Sequence, residues 1–73
     1  MTVKVATLKS GRVVKIINDG NARVIRDAKT DEYITRVWKF KSRWMHMLSS
    51  GRYNSMIRAI ESAIIWAEMR SVT

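Results

Sequence analysis

His46 is the only histidine in the chain, and it stands between Met45 and Met47. An imidazole titrating near neutral pH can act as a general base or sense pH. Here no carboxylate stands near it in sequence, and the chain has no cysteine and no Gly-rich phosphate loop. The serines at 10, 42, 49, 50, 55, 62 and 71 match no nucleophile motif. His46 therefore reads as a surface or packed histidine without chemistry. Asp27, Asp31 and Glu32 surround one turn and offer oxygens to a weakly held cation. They lack the regular oxygen ligands and closing Glu of a calcium loop, so turn formation explains them better. The expectation is a protein that is not an enzyme and uses neither cofactor nor metal.

Charge offers more. Fourteen Lys and Arg stand against six Asp and Glu in 73 residues, a net charge of +8. On so small a surface that balance creates an attractive potential for anions, and it exceeds what solubility asks of a small domain. Nucleic acid, an acidic protein surface and an anionic membrane are the partner classes it admits. Arg36, Lys39, Lys41 and Arg43 crowd one stretch, with Trp38, Phe40 and Trp44 interleaved. Cations beside rings can grip phosphate while a ring stacks on a base or an Arg. Arg52 adds to this group from a Gly-containing junction, where side chains usually face water. The three rings by themselves read more simply as core, with Trp38 and Phe40 pointing inward.

A third feature lies near the C-terminus. Ile65, Trp66 and Met69 carry apolar character round to the far side of a helix, beside Glu61 and Glu68. A domain of this length can hardly cover a helix on all sides, so an exposed apolar patch is expected, marking a binding or self-association site. Trp66 and Arg70 are four apart, close enough to stack. The expected binding residues are thus Arg36, Lys39, Lys41, Arg43, Trp44, Arg52, Trp66 and Arg70.

These residues must be placed by one small domain, residues 1–73. Val3, Val5 and Thr7 alternate with Lys4, Ala6 and Leu8, the period of a strand. Met1 to Leu8 forms no apolar block, so no signal peptide is expected, and no apolar run is long enough to span a bilayer. Lys9-Ser10-Gly11 reads as a turn. Arg12 to Ile17 is rich in β-branched residues. Asn18-Asp19-Gly20-Asn21 is the strongest hairpin signal, and Ala22 to Asp27 follows as a third strand. After Ala28-Lys29-Thr30-Asp31, Glu32 to Phe40 makes the last strand, with Tyr33, Thr35 and Val37 on one face. Ile34, Arg36, Trp38 and Phe40 share the other. Residues 41–50 read equally as a helical turn or a packed loop. A helix over residues 55–69, capped by Asn54 or Ser55, carries Tyr53, Ile57, Ile60, Ile64 and Ala67 on one stripe. The fold class is α+β: an antiparallel meander of three to four strands with a C-terminal helix packed on it.

Two resemblances follow. Ala22 to Arg36, then the Ala-rich helix Met56 to Met69, resembles the sheet-plus-helix units of plant AP2-type domains and phage integrase arm-binding domains. That resemblance implies a sheet that reads DNA and a helix that backs it. The Gly-aromatic junction that those families carry between sheet and helix is missing, and Ser50-Gly51-Arg52-Tyr53 stands in its place. In whole-protein character the chain is similar to small phage regulators that bind bacterial RNA polymerase, of the inhibitor-and-antiterminator kind known from a Xanthomonas phage. Its 73 residues, Met1 start, lack of Cys and basic, patch-bearing surface carry that likeness. It implies binding to the polymerase, blocked initiation and passage through terminators, in the host cytoplasm. The expected reading is therefore a monomer that binds RNA polymerase, makes no use of a membrane, and turns its basic surface to nucleic acid. A sheet-based DNA-binding module is the alternative.

Overall fold

The computed structural model describes residues 3–48 and 51–71, without the side chains of residues 70 and 71. Five strands are followed by one helix: β1 (Val3–Thr7), β2 (Val13–Asp19), β3 (Ala22–Asp27), β4 (Tyr33–Phe40), β5 (Arg43–His46) and α1 (Met56–Ser71). The strands lie side by side in chain order, every neighbour antiparallel. The class is α+β, with one strand more than the expected three to four. The extra strand is β5, in the stretch that read as a helical turn or loop.

Short turns set the registers. Asp19 pairs with Ala22 across the two-residue loop Gly20-Asn21, where Gly20 takes φ 63°. Positive φ at the first loop position is what a primed hairpin turn demands, and glycine supplies it without a Cβ clash. Phe40 pairs with Arg43 across Lys41-Ser42 in the same way, but there Lys41 holds φ 57°. Between β3 and β4 the Asp27 carboxylate accepts bonds from the Lys29 and Thr30 amides, at 2.8 and 3.0 Å. Those bonds lower its pKa, and the Arg12 guanidinium at 3.2 Å adds to the effect. Asp31 pairs with Lys15, which likewise lowers its pKa. The Asp27 and Asp31 carboxylates thus shape and pin a turn.

One face of the sheet carries the core. Val14, Ile16, Ile25 and Val37 are fully or almost fully buried there, with Leu8 just beyond β1 and Ala59 and Ile60 from the helix. The face alternates as a strand should, except at β4. A register shift opposite Ile25 and Arg26 inserts an extra residue, and Ile34 packs against the core beside Thr35 and Val37. A bulge breaks strict alternation in this way, so the expected sharing of Ile34's face with Arg36, Trp38 and Phe40 does not hold. Trp38 is half-buried and Phe40 exposed; neither joins the core as expected.

The helix starts where the sequence places its cap: Ser55 Oγ accepts from the Arg58 amide at 3.1 Å. It packs on β4 and β5. Ala59, Ile60 and Ala63 are its buried residues, while Ile57 and Ile64 are half-buried and Ala67 is exposed. Alanines centre the contact because a small side chain lets a helix axis lie close to a sheet. Tyr53 lies before the helix, joined to Trp44 through paired backbone bonds of 2.8 and 2.9 Å. His46 is 1% exposed. Its Nδ1 accepts from the Leu48 amide at 3.1 Å, which leaves the proton on Nε2, directed to Ser62 Oγ at 3.2 Å. Tyr53 stacks on the imidazole and its hydroxyl meets the same Ser62 Oγ at 2.6 Å. This histidine fastens β5 to the helix.

Candidate functional site

The meander brings the β2–β3 tip and the β4–β5 tip to the same end of the sheet. Register explains it: Ala22 opens β3 opposite Trp38, and β4 ends two residues later at Phe40. The Lys39 amide donates to Asn21 O at 3.2 Å and ties the two tips together. Between them lies a recess of about 300 Å³, lined by Gly20, Asn21, Arg23, Lys39, Lys41 and Trp44.

Each cation there is positioned by its strand. Arg23 and Lys39 lie on the helix side of the sheet, flanking Val37, with Trp44 opposite Lys39. The Arg23 guanidinium donates to Gly20 O and Ala22 O at 3.0 and 2.8 Å and sits 5.8 Å from the Trp44 ring centroid. Lys41 rises at the tip. Its ammonium lies 5.7 Å from the Phe40 ring centre, and the Arg52 guanidinium 5.4 Å. Arg52 is carried there by the Trp44–Tyr53 bridge, which lays its segment alongside β5. Arg43 completes the group opposite Phe40.

Among the described residues, Arg23, Lys39, Lys41, Arg43 and Arg52 make no ion pair with a carboxylate. The contrast with the other end of the sheet is sharp. There Arg12 and Lys15 are bonded to Asp27 and Asp31, and Arg26 donates to Asp31 O at 2.8 Å. Five of the fourteen cations thus gather at this end of the sheet as a basic pole. Cations grouped in and beside a concave recess can hold phosphate oxygens, and the neighbouring rings can hold a flat apolar or cationic group.

No protein family, curated protein or solved structure matches this chain. The site therefore rests on its own geometry. Of the residues expected from the sequence, Lys39, Lys41, Arg43, Trp44 and Arg52 come together. Arg36 lies nearby on the sheet face away from the helix and is bonded to Asp19 at 2.9 Å. Trp66 is on the helix, apart from the pole, and the side chain of Arg70 lies outside the described residues. Arg23 belongs to the pole and was missed. It comes from a different strand, and only the β3–β4 register places it beside Lys39 and Trp44. Among the described residues no helix is long and apolar enough to cross a membrane.

Proposed function

We propose that the protein is a non-enzymatic nucleic-acid-binding module that works through this basic pole. One observation carries the reading: five cations without carboxylate partners among the described residues gather at one end of the sheet, three of them lining a recess, with aromatic rings among them. Solubility needs charge that is dispersed and mixed in sign; a phosphate chain needs it concentrated. Binding measured across salt concentrations tests the reading. With about five phosphates engaged, log K should fall with log salt at a slope of roughly −3.5 to −4.5. Charge reversal at Arg43 and Arg52 should flatten that slope and leave the circular dichroism spectrum intact. A slope near zero, or unchanged affinity in the double variant, removes the pole from function.

A second reading, regulation of bacterial RNA polymerase, is favoured by a different observation. Ile65, Trp66 and Met69 stand 57%, 40% and 58% exposed on α1. Beside them Leu8, Ile64 and Ile65, together with Lys9, Ser10, Glu61 and Glu68, line a recess of about 310 Å³. Trp is among the commonest anchors of protein interfaces, and a basic pole would steer the approach to an acidic surface. Purified bacterial polymerase assayed on several unrelated promoters and one terminator decides it. Inhibition or read-through on all templates, lost in Trp66→Ala, supports this reading.

A further inference from the structure

We propose that the basic pole selects single-stranded over duplex nucleic acid, with an unstacked base held against the Phe40–Arg52 pair. The inference rests on the nucleic-acid reading above and narrows it.

Shape comes first. A duplex presents two rows of phosphates on a convex rod, and proteins that hold it spread cations along a face or a helix. Here the cations converge on a single end of the sheet: Arg23, Lys39 and Lys41 line a recess of about 300 Å³, while Arg52 lies over Phe40 and Arg43 pairs with it beyond that recess. That space suits one nucleotide unit rather than a stretch of duplex. Gly20 and Asn21 form part of its wall, and Gly20 has open space where a Cβ would stand.

The ring comes second. Phe40 is 44% exposed at the rim of this pole, although it carries no polar group to justify its place in water. Arg52 and Lys41 approach it at 5.4 and 5.7 Å. Single strands are held by such pairings of a cationic track with an aromatic or guanidinium plane, since every base has a flat face to offer. A duplex keeps its bases stacked and can reach the ring only by extruding one, at a cost of a few kcal/mol. The same pole therefore gains from a single strand a contact that a duplex withholds.

The third observation concerns Lys41. It holds φ 57°, a conformation that side chains rarely adopt, at the tip between the recess and the ring. Lys41 both lines the recess and holds its ammonium 5.7 Å from the ring, so a phosphate passing from one to the other would meet it.

The experiment is fluorescence anisotropy with a labelled mixed-sequence 12-mer, single-stranded or annealed to its complement, at matched salt. Wild type should bind the single strand about tenfold more tightly. Phe40→Leu, which keeps apolar bulk but loses the plane, should weaken single-strand binding about fivefold to tenfold at unchanged salt slope. Phe40→Trp should retain it. Lys41→Gln should reduce the slope instead, by roughly 0.7. Equal or tighter binding of the duplex, or a Phe40→Leu variant that binds like wild type, overturns the single-strand inference while the nucleic-acid reading stands. Failure to bind either form overturns both.

Discussion

His46 illustrates how a lone titratable residue can matter without any chemistry of its own. Its ring is sealed between β5 and α1, with both nitrogens engaged. Burial lowers its pKa below the usual 6.5. The unfolded chain then takes up this proton before the folded one does, so acid favours unfolding. The contribution is complete above pH 6.5 and is lost as pH falls from there toward the folded value. Urea denaturation at pH 7.5 and pH 5.0 should show a stability drop, with a slope no steeper than about 1.4 kcal/mol per pH unit from this one group. His46→Gln should flatten that drop. Asp27 and Asp31 do not confuse the measurement, since their lowered pKa values confine their loss to pH below 3.8. His46→Ala should cost ~2–4 kcal/mol, because it opens a cavity and strands the Ser62 and Leu48 partners. Lys41 makes the opposite prediction. A Cβ is strained at φ 57°, so Lys41→Gly should stabilise the fold by ~0.5–1 kcal/mol in thermal or urea unfolding. The same change should weaken anion binding.

Elements differ in how plainly their residues announce them. The first four strands show β-rich alternation between Gly- or Asp-containing turns, and the helix shows its cap and its spacing. β5 shows neither. Its outward residue Met45 is apolar, and its most buried residue is the polar His46, so the usual sign of the pattern is inverted. A strand like this becomes legible only when its neighbour exists, because Val37 and the helix supply what surrounds His46. Ile34 was hidden for a related reason: a bulge is a property of two strands, and nothing in β4 alone reveals it. The basic pole was read through Lys39, Lys41, Arg43, Trp44 and Arg52, which are near in sequence. Arg23 comes from another strand and required the register. Within the helix, the buried alanines carry a testable consequence. Ala59 is wholly buried where α1 meets the sheet, so Ala59→Leu should overpack the contact and cost ~1–3 kcal/mol in urea unfolding.

At the scale of the whole molecule, charge and fold pull against each other. Arg23, Lys39, Lys41, Arg43 and Arg52 repel one another across one end, and among the described residues no carboxylate pairs with them. Salt should relieve that repulsion. The melting temperature should therefore rise between 20 and 200 mM sodium chloride by a few degrees, roughly the shift that ~0.5–1 kcal/mol gives a domain this size. The Arg43→Gln, Arg52→Gln double variant should melt higher than wild type at low salt and respond less to added salt. Identical melting curves across this range would show that the pole imposes no cost on the fold.

The order of the strands also bears on time. Because β1 to β5 lie in the sheet as they lie in the chain, every pairing closes a short loop. The entropy of closing loops is a main brake on β-sheet folding, and this topology keeps each closure small. The sheet can thus zip from its central hairpin outward, while α1 must wait for β4 and β5 to offer it a surface. Substitutions at the β2–β3 turn would then slow folding, whereas changes under the helix, at Ala59 or Ile60, would mainly hasten unfolding. The contacts that hold His46 in place would be among the last to form and the first to let go.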